Sequence, residues 1–159
     1  MNRSTLTAMV LAVASLPAPA CAPGAVAPDA PATPRACVPR ATTVETYMLA
    51  WNTADRETRR CLVAAVWSAH GRYVDPTADV TGVDGLVDHI GGYLRQFPGT
   101  RLEPTGPVVA HHEFIHFPWH VVAGGQTVLD GKDFGQLDGE GKLVLVSGFF
   151  GALAIAPVR

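Results

Sequence analysis

Residues 126–150 read QTVLDGKDFGQLDGEGKLVLVSGFF. Two β-rich runs, Gln126–Leu137 and Lys142–Phe150, flank Asp138-Gly139-Glu140-Gly141, a turn composition that joins strands into a hairpin. Two runs of the same texture lie ahead of it, Arg101–Ala110 and Glu113–Ala123, so four successive strands with short connections predict a mainly antiparallel sheet. Further upstream the period changes. Val44, Tyr47, Met48 and Trp51 recur at i, i+3, i+4 and i+7, one face of a helix, and Leu62, Val63, Val66 and Trp67 give a second helix over about 56–68. Gly71–Asp75 reads as a short strand stopped by Pro76. Leu86, Ile90, Tyr93, Leu94 and Phe97 then mark a third helix, with Asp84 as its expected N-cap. Three helices followed by a run of strands is an α+β arrangement.

The 159 residues support one compact domain. Its 12 aromatic residues all lie between Tyr47 and Phe150, so the packed core belongs to that part of the chain. Residues 17–39 instead hold seven Pro and eight Ala, the composition of an extended linker. The expected organisation is a signal peptide over 1–20, a Pro/Ala-rich linker over 21–41, the domain over 42–152 and a tail over 153–159. The signal reading rests on the positive start Met1-Asn2-Arg3, the apolar run Leu6–Leu16 and the small residues Ala18-Pro19-Ala20. That run is too short to span a membrane, which takes about 20 residues. Leu16-Pro17-Ala18-Pro19-Ala20-Cys21 resembles a bacterial lipobox, which would make Cys21 a lipidation site and the protein an envelope lipoprotein. Plain secretion is the alternative. Contact with a membrane is expected only through such an anchor.

If lipid takes Cys21, Cys37 and Cys61 remain free to pair in an oxidising compartment. The reading preferred here is that Cys61 is a buried small apolar residue. Between Ala41 and Gly151, eight Lys or Arg stand against 13 Asp or Glu, which argues against a nucleic-acid partner. The one basic cluster, Arg56, Arg59 and Arg60, reads as a solvated helix face.

The element order, together with Tyr47-x4-Asn52-x2-Asp55, Gly71-Arg72-Tyr73-Val74-Asp75-Pro76, Gly82-x2-Gly85-Leu86, the run Asp133–Leu143 and the terminal Gly148-Phe149-Phe150-Gly151, resembles the SnoaL-like branch of the nuclear transport factor 2-like superfamily. The resemblance covers about residues 43–151. It implies a curved sheet wrapped around a cone-shaped pocket under three N-terminal helices, a small apolar ligand, and a homodimer formed through the outer sheet face. Within the family the ketosteroid isomerase pattern falls on Asp75 as general base, with Tyr47 and a protonated Asp133 as donors to an oxyanion. Trp51, Trp67, Tyr73, Phe117 and Trp119 would line the pocket. The implied chemistry is isomerisation, cyclisation or dehydration without a cofactor; the alternative is a ligand-binding or interaction lipoprotein with no catalysis. Gly135 and a longer segment between Asp55 and Asp75 imply a pocket shaped differently from that of the isomerase.

Each of these residues also has a purely structural reading. Tyr47 sits on the apolar face of its helix and fits a core position, and Asp75-Pro76 fits a strand-end turn. Asp133 shares a strand face with Leu129 and Leu137, so it should be buried and perturbed. His89 reads as a solvated helix residue, with the pocket mouth in its reach. One competing motif remains. His112-Glu113-Phe114-Ile115-His116 matches the His-Glu-x-x-His zinc-protease signature, whose histidines must share a helix face. Here the flanking residues are β-rich and Pro118 follows at once; on a strand, positions four apart lie about 13 Å apart, so no metal site is expected.

Overall fold

The structure, a computed structural model, describes Cys37 and residues 39–151. The signal peptide, Cys21, most of the linker and the tail lie outside the described residues. The domain opens with α1 (Thr43–Trp51) and α2 (Arg56–Val66). A capping box between Thr42 and Glu45 starts α1, and Asp55 caps α2 by accepting from the Thr58 amide. A disulfide joins Cys37 to Cys61, tying the segment ahead of α1 to α2 across a sequence separation of 24. Cys61 is therefore not the free apolar residue expected.

Arg59 also departs from expectation. It is 4 % exposed and donates to the carbonyls of Val87, Thr53 and Ala54. It occupies the junction of the three helices, where carbonyls freed at the end of α1 need donors. Gly91 leaves room for it: a Cβ there would stand 2.6 Å from an Arg59 terminal nitrogen. A glycine that costs about 1 kcal/mol in helix propensity thus accommodates a buried guanidinium. Arg56 and Arg60 do lie on the solvated face, paired with Asp88 and Asp84.

The remaining elements are β1 (Trp67–Asp75), β2 (Ala78–Thr81), α3 (Gly82–Gln96), β3 (Arg101–Pro104), β4 (Val109–His111), β5 (Phe114–Ala123), β6 (Gln126–Leu137) and β7 (Leu143–Phe150). The first strand begins four residues earlier than expected, at Trp67. Thr81 stands at the N-cap of α3 without a side-chain bond, and Asp84 falls in its first turn. The strand expected over 101–110 is two, because Pro104, Gly106 and Pro107 interrupt the ladder between them. The strands form one sheet in the order β2-β1-β7-β6-β5-β3, with β4 also paired to β5. Only β1 and β7 run parallel.

Register shifts at Trp67/Arg72, Val121/Val122 and Gln136/Leu137 bend the sheet around its inner face. On β5 the alternation is clean: Ile115, Phe117, Trp119 and Val121 are buried, whereas His116 and His120 face away. The helices pack against the sheet, and α3 with the last turn of α1 borders the space left open between them and its inner face. The architecture is α+β with a curved, mostly antiparallel sheet.

Candidate active site

The open end of the cone holds a cavity of about 290 Å³. Its floor is a row across three neighbouring strands. Asp75 ends β1, Gly148 lies on β7, and Asp133, paired with Gly148, lies on β6. A Cβ on Gly148 would stand 3.1 Å from Asp133 Oδ1, 3.4 Å from Asp75 Cβ and 3.5 Å from the Tyr73 hydroxyl. The missing side chain therefore leaves the two carboxylates facing the same space, with their backbones about 10 Å apart across two strand spacings.

Local sequence explains each carboxylate. Asp75 precedes Pro76 at a strand end, and its Oδ1 accepts from the Thr77 amide at 2.6 Å, the Thr77 hydroxyl at 2.8 Å and the Ala78 amide at 2.7 Å. Its Oδ2 accepts from the Tyr73 hydroxyl at 2.7 Å and faces His89 Nε2 at 3.8 Å. Burial works to raise the pKa of this carboxyl. The neighbouring His89 and the bonds from Tyr73 and Thr77 outweigh it, holding Asp75 well below the ordinary carboxylate range.

Asp133, inside β6 and 3 % exposed, has fewer donors. The Trp119 indole donates to Oδ1 at 2.8 Å, and the Tyr47 hydroxyl to Oδ2 at 3.4 Å. Burial dominates, Asp75 adds to it, and the two donors oppose it, so the carboxyl is pushed up to about 6. The direction is the one expected from the sequence. The extent is smaller, because two donors favour the charged form, and at neutral pH the carboxylate predominates. Burial and then the two carboxylates hold the Tyr73 phenol above its ordinary range.

Of the residues expected to line the pocket, Trp51, Tyr73, Asp75, Trp119 and Asp133 do so. Tyr47, Trp67 and Phe117 do not. Each is 1 % exposed, and together they form an aromatic layer beneath the floor: Tyr47 stacks on Trp67 with centroids 6.1 Å apart and meets Phe117 edge-on at 6.0 Å. Tyr47, on the inward face of α1, fills core space and reaches Asp133 through its hydroxyl. The ring of Trp67 is held there by its own N–H, which donates to the Gly71 carbonyl.

Sequence reasoning undervalued α3. His89, Tyr93, Gln96 and Phe97 all line the cavity. Their spacing of i, i+4, i+7 and i+8 is a helical stripe that shares Tyr93 and Phe97 with the apolar one and adds His89 and Gln96, and it was the available signal. His89 packs on Trp51 at 5.7 Å and Tyr73 at 5.2 Å rather than standing in solvent. The zinc-protease signature lies elsewhere. His112 occupies the turn between β4 and β5 with φ at 52°, and His116 is on β5. The two histidines share no helix face, and among the described residues no group of three His, Cys, Asp or Glu could hold a metal ion.

No family model matches the chain, and no curated protein matches it either. Solved structures do. A candidate isomerase of the SnoaL-like family from Agrobacterium tumefaciens is 35% identical, with a TM-score of 0.66 over 69% of this chain and 95% of that one. A nuclear transport factor 2-like protein of unknown function from Exiguobacterium is 18% identical, with a TM-score of 0.57 over 70% of this chain and 100% of that one. A candidate SnoaL-like polyketide cyclase from Jannaschia is 13% identical, with a TM-score of 0.53 over 68% and 84%. The last two show the fold alone, whereas the first carries the family: this chain belongs to the SnoaL-like family of the nuclear transport factor 2-like fold.

Proposed function

We propose that the cavity binds a small, largely apolar molecule and moves a proton on it by acid/base chemistry, in a reaction of the isomerisation, cyclisation or dehydration type. The observation that supports this reading is the pair of carboxylates on one floor with acidities displaced in opposite directions, a recurrent signature of divided acid and base roles. The displacement reassigns those roles. Asp75, the base expected from the sequence, has too little proton affinity in its ring of donors. Asp133 exchanges a proton near neutral pH and is the better acceptor. Asp75 serves as a fixed anion that orients Tyr73 and His89. A panel of small carbonyl compounds screened for thermal stabilisation, followed by turnover assays on those that bind, tests the proposal. Asp133→Asn should lower turnover about 10²- to 10⁴-fold while affinity stays within about tenfold. A second reading, a ligand-binding domain without catalysis, draws on the turn bonds that occupy Asp75 Oδ1. It predicts binding with no turnover of any ligand.

The protein is further proposed to be exported, with Cys21 as lipid anchor; the Cys37–Cys61 disulfide fits an oxidising compartment. Metabolic labelling with a palmitate analogue, lost in Cys21→Ser, checks the anchor. A homodimer would pack through the outer sheet face, where Phe134 and Phe149 are 38% and 52% exposed. Sedimentation showing monomer alone at high concentration would remove it.

A further inference from the structure

We infer that the cavity is selective for an organic cation, a molecule with an apolar body and one amine or quaternary ammonium group. This rests on the proposed reading of the cavity as a small-molecule site and names the class of molecule that enters. The walls are aromatic. Trp51, Tyr73 and Tyr93 make one side, with Tyr73 and Tyr93 ring centroids 5.5 and 5.7 Å from that of Trp51, and Trp119 with Phe150 makes the other. Aromatic faces attract a positive charge through their quadrupoles, and the attraction grows where water is excluded.

The charges agree with the walls. Among the described residues lining the cavity there are two carboxylates, Asp75 and Asp133, one imidazole, His89, and no Lys or Arg. Several basic side chains of the domain are committed elsewhere: Arg72 to Asp79, Arg56 to Asp88, Arg60 to Asp84, Arg101 to Glu103 and Arg59 to backbone carbonyls. With both carboxylates ionised, even a charged His89 leaves the cavity net negative. A carboxylate ligand would meet Asp133 and Asp75 with only His89 and the unpaired Trp51 indole N–H to offset the repulsion, whereas an ammonium above Gly148 would sit between them. The surrounding domain points the same way, since its acidic excess between Ala41 and Gly151 draws cations toward the mouth.

The test uses the full-length chain and three ligands of one skeleton, benzylamine, benzyl alcohol and benzoate, with benzyltrimethylammonium as a fixed charge. Calorimetric titration at pH 7.5 and low salt should give both cations at least about tenfold tighter than the alcohol, with benzoate weakest. Asp75→Asn and Asp133→Asn should each reduce that preference, the ratio of cation to alcohol affinity, about tenfold. Because either variant could lose the fold, each is checked by circular dichroism and a cooperative thermal transition, and one folded variant suffices. Equal binding of alcohol and cations, tighter binding of benzoate, or an undiminished preference in a folded variant overturns the charge class and leaves the small-molecule site standing. If none of the four binds, both readings fall together.

Discussion

Two aspartates share the pocket floor, and their surroundings drive them apart. Asp75 stands at the β1–β2 turn, where the chain reverses and leaves backbone amides without ladder partners, so its carboxylate collects them. Asp133 stands inside β6, where the backbone groups are already spent on β5 and β7 and only side chains can reach it. What separates them is the supply of donors. A carboxylate at a chain reversal is a structural anion; the same group in the middle of a sheet is short of hydrogen bonds and becomes a proton-exchanging one.

The largest test of that contrast is Asp133→Asn. As a base near neutral pH its loss should cost turnover about 10²- to 10⁴-fold. It should also change the pH dependence of stability. The folded carboxyl titrates at about 6 against an ordinary value of 3.8, so the native state holds more protons than the unfolded one across that interval. The contribution of Asp133 to stability is therefore highest below about 4, falls as pH climbs to about 6, and is level above, a loss of about 3 kcal/mol. Asp75 has the opposite sign, with stability lost as pH falls below the ordinary carboxylate value. Urea unfolding of the wild type and Asp133→Asn at several pH values separates them: the variant should lack the decline between 4 and 6. A decline that survives the substitution assigns it to another group and breaks the contrast.

Trp119→Phe is the next step down. It removes the 2.8 Å indole bond while keeping a ring on the floor. A hydrogen bond to a charged group is worth about 1.5–3 kcal/mol, so the variant should be destabilised by about 2 kcal/mol at neutral pH and by much less near pH 4. The pH at which stability stops falling should move upward, because loss of a donor that favours the carboxylate raises the Asp133 pKa. Equal destabilisation at both pH values would mean that the indole acts by packing alone.

The fold was legible because it is written in periods and turns. The 138–141 hairpin and the strands on either side of it lie where the sequence put them. The third helix could also be read from its spacing, although its N-cap lay three residues earlier, at Thr81. What the sequence hid depends on contacts between distant segments. The burial of Arg59 follows from where α1 ends against α3, and pairing of Cys37 with Cys61 follows from how the segment ahead of α1 lies on α2. The site was legible by residue type and only partly by role. Asp75 and Asp133 are on the floor as their motifs implied, yet a count of amides around Asp75 needs the turn in three dimensions. Tyr47 was fixed to an inward helix face; whether that face meets the cavity or the core depends on where α1 crosses the sheet.

Gly148→Ala probes the space between the two carboxylates. The added methyl would lie 3.1 Å from Asp133 Oδ1, closer than ordinary van der Waals contact. Accommodating it should cost about 1 kcal/mol of stability and roughly tenfold in ligand affinity, because the group fills the floor on which a ligand would rest. Unchanged affinity would place the ligand higher, against Tyr93 and Phe97.

The smallest effect is expected at Tyr47, and it decides between two accounts of the floor. If Tyr47 were an oxyanion donor, Tyr47→Phe would cost turnover about 10²- to 10³-fold, as the loss of such a donor does. In the structure its hydroxyl points to the buried side of Asp133 across 3.4 Å, and the ring is held between Trp67 and Phe117. Phenylalanine keeps that packing, and a bond at the limit of hydrogen-bond length contributes little, so the variant should lose less than about 1 kcal/mol of stability. Turnover should stay within about threefold of the wild type, since Trp119 remains as donor to the reacting carboxylate. A loss of a hundredfold or more would return Tyr47 to the site and make the Trp67–Phe117 layer a wall of the cavity.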